Sequence, residues 1–397
     1  MVALAHKIRL DATYKQEAYF NKACGIARFA WNWALARWEE LYKAQQKPTA
    51  FGLKKEFNSL KETTFPWVYE VTKYACQQPF IHLQNAFQNF FSKKSKYPQF
   101  KKKGVHDSFY IGGDQLQVIG KKVKIPNLGW VRLRESLRFQ GKITGATISR
   151  VADQWMISIC VETNQLPKPC ESQASVGVDL GMQTLATFSD GTKIANQKPL
   201  SKRLKKLKRL QRQLSRKEKG SQNRNKCKKN LAKQYNKVRC TRNDQLHKLT
   251  TRLTKNYTFI AIEDLSITQM LKNKRLARQI ADSGWYEFRR QLTYKAALRG
   301  NKLLIADRWY ASSKKCSRCK QIKDNLCLSE RTYQCQQCNF SIDRDLNAAL
   351  NLQELINTVS STEINACGQS GSATMQNMTA TSLDEAGTKP CIDLYTF

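Results

Sequence analysis

The stretch SVGVDLGMQTLATFSDGTKIAN, residues 175–196, decides the fold of the second half of the chain. Its alternating valines predict a strand that carries Asp179, and LATF (residues 185–188) predicts a second strand. The Asp190-Gly191 pair fits a hairpin turn into a third strand. The pattern therefore predicts an antiparallel meander with a carboxylate on its first strand. Alone, such an aspartate is more often solvated or capping.

Acidic residues also follow two later apolar segments. YTFIAIEDL (residues 257–265) predicts a buried strand that leads to Glu263, and DRDLNAALNLQELI (residues 343–356) predicts a helix with Asp343 or Asp345 in its first turn. Taken singly, these residues fit a strand-end turn and a helix cap. If they converge with the strand aspartate, they suit two Mg²⁺ ions about 3.5–4 Å apart, the arrangement that hydrolyses phosphodiesters. We therefore predict an RNase H-like nuclease domain.

Four of the thirteen cysteines form a metal-binding pattern. Cys316 and Cys319, then Cys335 and Cys338 after fifteen residues, make two C-x2-C pairs with the spacing of a single Zn²⁺ site. Four thiolates leave no open coordination position, so we expect this zinc to be structural. Cys327 lies off the pattern and is expected to be a packed thiol.

The charge of the chain predicts a polyanionic partner. Lysine and arginine number 68 against 31 acidic residues, a formal net charge of +37. Residues 201–250 hold 19 of the basic residues, in what we interpret as a helical hairpin. A charge run is usually a solvated face, but this density favours nucleic-acid contact, with Arg203, Lys206 and Arg209 as candidates.

A second basic run, KKSKYPQFKKK (residues 93–103), is interrupted by a proline and two aromatic residues. It fits a phosphate contact through Lys101, Lys102 and Lys103 about as well as it fits a solvated linker.

Residues 1–165 predict a β-module split by a helical insertion. Residues 1–10 alternate as a first strand, and short strands run from Ser108 to Glu162, which predicts a small β-barrel or sandwich. The intervening helices carry aromatic stripes that fit core packing better than base stacking. The predicted domains are 1–12 with 106–165 (split β-barrel), 13–105 (helical insertion), 172–310 with 342–356 (nuclease) and 311–341 (zinc ribbon).

Composition sets two further expectations. Asn357 begins a stretch rich in Ser, Thr, Gly and Asn, so residues 357–397 are predicted to be a disordered polar tail. No apolar run approaches the roughly 18–20 residues of a membrane-spanning helix, and MVALAHKIRL turns charged too early for a signal peptide. We expect a cytoplasmic, nucleoid-associated prokaryotic protein with no membrane partner.

The motifs together resemble a known family. In order, GVDLGMQTLATFSDG, IAIEDL, the CSRC and CQQC knuckles and DRDLNAALNL resemble the transposon-encoded TnpB family, compact RNA-guided nucleases related to type V CRISPR effectors. ARFAWNWAL (residues 27–35) and AFQNFFSKKSKYPQFKKK (residues 86–103) extend the similarity to most of the chain.

The resemblance implies a RuvC-like site. Its catalytic, Mg²⁺-binding residues would be Asp179, Glu263 and Asp345, the last because Asp345-Leu346-Asn347 matches the family's D-x-N motif; Asp343 is the runner-up. Family knuckles often place glycine after the second cysteine of each pair, whereas Lys320 and Asn339 stand here.

The resemblance also implies partners. These are a guide RNA derived from the transposon end and double-stranded target DNA, cut beside a short motif that the protein reads directly. A wedge-like β-module and a recognition-like helical insertion would hold the guide, with Lys73 and Gln77 as candidates for reading the motif. We expect a monomer.

Two other functions remain open. One is a guide-dependent DNA-binding protein that represses its target without cutting, although such a protein has no need of three mutually repelling carboxylates. The other is a transposase with the same metal chemistry, which we rank lower because the sequence shows no helix-turn-helix.

Overall fold

The computed structural model describes residues 1–327 and 330–364, with the short strands Thr374–Met375 and Ile392–Leu394. The chain divides into two compact units. The first contains Met1–Gln165 and the strand Ile392–Leu394, and the second begins at Leu166. Among the described residues, no helix combines the length and apolar character needed to cross a bilayer.

In the first unit, three helices pack on a sheet in which seven strands pair in a single row. The helices are α1 (Tyr14–Lys43), α2 (Ala50–Leu60) and α3 (Lys73–Phe91), with 3-10 turns at Pro66–Glu70 and Gly113–Gln115. The strands are β1 (Val2–Asp11), β2 (Ser108–Gly112), β3 (Gln117–Ile119), β4 (Lys122–Ile125), β5 (Gly129–Leu133), β6 (Lys142–Val151) and β7 (Gln154–Thr163). Their order is β2-β6-β7-β1-β5-β4-β3, and Ile392–Leu394 also pairs with β1.

This sheet is open, so the prediction of a closed β-barrel is wrong. Its edge strands β2 and β3 do not pair with each other. The reason lies in β3, which has only three residues, all exposed or half-buried. Pairing this short strand with β2 would add a ladder of at most three residues, so little drives closure.

The aromatic stripes lie mainly in the core of this unit, as predicted. Thr13 and Gln16 form a capping box that starts α1. Phe80 and Phe87 on α3 are buried, and Phe87 stacks on Trp38 of α1 with ring centroids 4.2 Å apart. Phe91, at the end of the stripe, is 63% exposed and is the exception.

The second unit is a three-layer arrangement of helices on both faces of a sheet. The strands are β8 (Ser175–Asp179), β9 (Thr184–Phe188), β10 (Lys193–Ala195), β11 (Phe259–Glu263) and β12 (Lys302–Ala306), in the order β10-β9-β8-β11-β12, with Thr374–Met375 beside β12. β8, β11 and β12 are parallel, whereas β9 and β10 form the antiparallel meander predicted from the sequence. The Cys region adds a two-stranded sheet, β13 (Thr332–Gln334) and β14 (Ser341–Asp343).

The helices of this unit include the predicted basic hairpin. They are α4 (Pro199–Ser215), α5 (Gln222–Asn256), α6 (Ile267–Met270), α7 (Ala277–Ser283), α8 (Trp285–Arg299) and α9 (Arg344–Ile364). α5 and α8 pack on one face of the sheet through Leu249, Leu253 and Phe288, and α9 packs on the other through Leu352 and Ile356.

The final helix corrects the predicted start of the tail. α9 continues to Ile364, so residues 357–364 are helical rather than disordered. The apolar residues of this helix that pack on the sheet continue to Ile356. This packing stabilises the helix at the point where the composition changes, so the helix extends beyond it. Most of the remaining predicted tail lies outside the described residues.

Candidate functional site

Two of the predicted carboxylates lie side by side at the ends of neighbouring parallel strands. β8 and β11 pair with Val178 opposite Ile262, so the next residues along each strand are Asp179 and Glu263. Val178 and Ile262 belong to the core under α5 and α8. Because side chains alternate along a strand, Asp179 and Glu263 both face the opposite side, which α9 covers.

The third carboxylate reaches this place because α9 crosses β8 at close range. A Cβ added to Gly177 would collide with the backbone carbonyl oxygen of Ala349, and would lie 2.5 Å from the backbone nitrogen of Gln353. The amide Nε2 of Gln353 also donates to the carbonyl oxygen of Ser175, at 2.9 Å. Asp345, in the first turn of α9, is thereby held near the end of β8.

The pKa shifts of the carboxyl groups indicate that the three groups lie close together. Burial raises the pKa of Asp179 well above its ordinary value, and the charges of Glu263 and Asp345 raise it further, while Arg344 opposes them. Burial also raises the pKa of Glu263, against a hydrogen bond that the Ser312 hydroxyl donates. Arg344 compensates this negative charge only in part, because the pKa of Asp179 stays raised, and hard divalent cations prefer carboxylate oxygens. These residues therefore suit a divalent metal.

The neighbouring acidic residues are committed to other partners. Asp264 binds Arg289 and Arg308, and although burial acts to raise its pKa, these hydrogen bonds hold it below its usual value. Asp343 accepts from the Leu346 backbone N–H at 3.0 Å and from Lys193 Nζ at 2.7 Å, so it caps α9. These contacts favour Asp345 over Asp343 as a metal ligand.

The four predicted cysteines come together as one cluster. Their sulfurs all lie within 4.8 Å of one another, with Cys316–Cys338 at 3.8 Å and Cys319–Cys335 at 3.5 Å. Tetrahedral Zn–S bonds of about 2.3 Å require sulfur separations of about 3.8 Å, so the cluster can hold a zinc ion. Within the described part of the chain, these cysteines are the one such group, so the three carboxylates stand more widely spaced. Cys327 is exposed and not packed as predicted, because it lies in the loop between the knuckles.

The knuckle turns keep their geometry without glycine. Lys320 has φ +70° and Asn339 has φ +51°, both left-handed. Lys320 Nζ lies 2.6 Å from Glu354 Oε2 on α9 and donates to the Ser317 carbonyl at 2.9 Å. These contacts offset part of the strain of a lysine in this conformation.

The candidate nucleic-acid-binding residues differ in their exposure and contacts. Lys206 and Arg209 are exposed on α4 and Arg203 is half-buried there. All three lysines of residues 101–103 are exposed, and Lys101 Nζ also lies 4.0 Å from the centre of the Trp31 ring.

The two motif-reading candidates lie in the first turns of α3. Lys73 pairs with Asp114 at 3.1 Å, and Gln77 is half-buried. The roles of these two residues in reading the motif, and of the basic residues above in contacting nucleic acid, stay predictions.

Sequence reasoning missed the residues that support the carboxylates. Asn347 and Asn351 are fully buried on α9, and their amides donate to the Lys315 carbonyl at 2.8 and 2.6 Å. Ser312, buried before the first knuckle, donates to Glu263. Two asparagines four residues apart in an otherwise apolar helix could have indicated such support, because a buried amide needs a hydrogen-bond partner.

Comparisons with known proteins agree with the motif order. Family models match residues 158–274 ("Probable transposase"), 285–352 ("Cas12f1-like, TNB domain") and 1–47 ("Helix-turn-helix domain"). The last match contradicts the expectation that nothing resembles a helix-turn-helix, although residues 1–47 fold as strand β1 and the single long helix α1.

Whole-chain relatives and a solved structure extend these matches. The chain is 35% identical to "Putative RNA-guided DNA endonuclease InsQ" of Escherichia coli (strain K12), over 88% of this chain and 91% of that one. It is also 35% identical to "Putative RNA-guided DNA endonuclease" of Streptomyces pristinaespiralis, over 88% and 89%. Its fold is similar to that of Cas12f1 in a complex with sgRNA and target DNA, with a TM-score of 0.51, 16% identity and coverage of 85% and 83%. The chain belongs to the transposon-encoded TnpB family.

Proposed function

We propose that this protein is an RNA-guided endonuclease that hydrolyses double-stranded DNA beside a short target-adjacent motif. The convergence of Asp179, Glu263 and Asp345, from two parallel strands and a helix that crosses them, carries the proposal. The strand order β10-β9-β8-β11-β12, with its meander followed by parallel strands, supports an RNase H-like, RuvC-like domain. The names of the relatives support the RNA guide, and the charge of +37 suits both nucleic acids.

The proposed chemistry is hydrolysis of a backbone phosphodiester. Water forms a new bond to phosphorus, one phosphorus–oxygen ester bond breaks, and the sugar oxygen leaves and takes up a proton as a hydroxyl. The three carboxylates would hold two Mg²⁺ ions, and bound Mg²⁺ would supply activation of water and neutralisation of charge on the phosphate. The protein supplies the fixed positions: strand pairing holds Asp179 beside Glu263, and the close approach of α9 fixes Asp345. The zinc cluster has no open position and acts as a structural part of the ribbon.

The domain boundaries, the monomeric state and the cytoplasmic, nucleoid-associated location belong to the same proposal. We infer that the guide RNA comes from the transposon end, and that the first unit contributes to holding it and reading the motif.

The test compares the wild type with Asp179→Ala, each purified with RNA expressed from its own flanking DNA. We expect the wild type to cut a plasmid that carries the target and motif in Mg²⁺. We expect the variant to lose cutting by at least about 10³-fold while it binds the same target. If the wild type binds the guided target without cutting it, the repressor function is correct instead. If the variant loses binding as well, Asp179 has a structural role.

A further inference from the structure

The segment between β12 and the first zinc ligand touches the proposed nuclease site. Ser312 is buried, with a relative exposure of 3%, and its hydroxyl donates a hydrogen bond to Oε1 of Glu263. Four residues later the same segment supplies Cys316 to the cysteine cluster. One short segment, residues 312–316, therefore contacts a carboxylate through the Ser312 side chain at one end and supplies Cys316 to the cysteine cluster at the other.

Helix α9 fixes this stretch along its length. The Asn351 amide donates to the carbonyl oxygens of Ser312 at 2.8 Å and Lys315 at 2.6 Å. One turn earlier, Asn347 donates to the Lys315 carbonyl at 2.8 Å and accepts from the Ser317 N–H at 3.0 Å. Both asparagines are fully buried, so these bonds do not compete with water.

We propose that Ser312 is a positioning residue that orients Glu263 for divalent-cation binding, and that the zinc-bound ribbon, anchored by Asn347 and Asn351, holds Ser312 in place. The inference rests on the proposed function, because it assigns a metal to Glu263. A hydroxyl that donates to one carboxylate oxygen fixes the rotation of the carboxylate and leaves its charge available. The ribbon thereby contributes to cation affinity although its own metal takes no part in the reaction.

The test measures Mn²⁺ binding to the purified full-length protein by calorimetry, without substrate. Ser312→Ala is expected to weaken Mn²⁺ binding by about tenfold, the lower end of the usual loss for a residue that orients a ligand. Ser312→Thr keeps the hydroxyl and is expected to restore most of the affinity. Ser317→Ala is the matched control: this half-buried serine makes its contacts with Asn347 and Lys320 through its backbone, so the variant should bind Mn²⁺ as the wild type does.

Cleavage gives the second readout. Ser312→Ala should need about tenfold more Mg²⁺ for half-maximal cutting and should approach the wild-type rate when Mg²⁺ is saturating. Asn351→Ala leaves Ser312 and Glu263 unchanged but frees the segment, so it should shift the Mg²⁺ requirement in the same direction. Thermal unfolding checks that each variant is folded.

Two results would overturn the proposal in different ways. Equal Mn²⁺ affinity in a folded Ser312→Ala and the wild type would remove the positioning role while the nuclease function stands. A wild type that binds no more Mn²⁺ than Asp179→Ala would overturn the proposed metal site itself.

Discussion

The α-carbon of Gly177 faces the backbone of Ala349, at a distance that leaves no room for a side chain on β8. Asp179 lies two residues farther along that strand, on the same face, and Asp345 lies one turn before Ala349 on the helix. The approach of helix to strand thus brings two carboxylates together from segments more than 160 residues apart. A glycine with no unusual backbone angle is required here by packing alone.

Gly177→Ala should therefore damage both stability and activity. The added methyl must push α9 from the sheet, at a cost of about 1–3 kcal/mol or more, because its nearest neighbours are backbone atoms. We expect a lower Tm and a cleavage rate reduced by at least about tenfold.

The control for this change is Gly25→Ala on α1, where the nearest atom to an added Cβ is the end of the Arg28 side chain at 3.8 Å. Alanine favours a helix over glycine by about 1 kcal/mol, so this variant should gain stability and keep its activity. Equal effects of both changes on Tm would contradict the proposed close packing.

Asp179→Asn should stabilise the protein when no Mg²⁺ is added. Burial and the neighbouring carboxylates raise the pKa of Asp179 in the folded state. A raised carboxyl pKa means that the folded state holds the proton more tightly than the unfolded state. The stabilisation that this carboxyl contributes is therefore fully present below the unfolded pKa of about 3.9, and it is lost as the pH rises through the folded pKa. Asparagine does not ionise, so the variant avoids this loss of stability at neutral pH.

Thermal unfolding at several pH values tests this sign. The variant should exceed the wild type by several degrees at pH 7.5, and the difference should shrink toward pH 4. Added Mg²⁺ should raise the Tm of the wild type much more than that of the variant. Glu62→Gln, at an exposed site on the first unit, is the control for loss of one negative charge. A variant less stable than the wild type at pH 7.5 would mean that Asp179 stabilises the fold.

Local patterns in the sequence predicted the strands of the second unit well. Each of β8, β9 and β11 has an apolar run bounded by turn residues, and two of these runs end in Asp179 and Glu263, so their placement at strand ends could be predicted. The basic hairpin α4–α5 was also predicted, because leucine spacing and the glycine between the helices, Gly220, are local signals.

Properties that depend on distant segments were not predictable in the same way. Alternation along β2 and β3 is the same in an open sheet and in a barrel, so closure depends on whether those edges gain by meeting. The helix α2 was missed because its buried residues, Leu53 and Phe57, form a short stripe. Similarly, neither the role of Gly177 nor the contact of Ser312 with Glu263 leaves a periodic pattern.

Because the four-cysteine cluster can hold a zinc ion, we expect opposite results from substitutions of two cysteines in the same region. Cys335→Ser replaces a sulfur in the four-cysteine group, whereas Cys327→Ser changes an exposed thiol outside it. We expect the first variant to lose most of its zinc, measured by elemental mass spectrometry, and to show a lower Tm and local protease sensitivity in the ribbon. The second should keep about one zinc per chain. Loss of zinc from both would place Cys327 among the ligands.

Variants of Lys320 separate backbone strain from the ion pair at the knuckle. Lys320 adopts a left-handed conformation, which costs an L-residue about 1–2 kcal/mol and glycine almost nothing. Its pair with Glu354 is partly exposed, with side-chain exposures of 44% and 30%, so the pair returns at most about 1 kcal/mol. Lys320→Gly should therefore be as stable as the wild type or more stable, while Lys320→Ala, which loses the pair and keeps the strain, should be the least stable of the three. Thermal unfolding of the zinc-loaded proteins gives the order, and an alanine variant as stable as the glycine variant would show that strain at this turn does not matter.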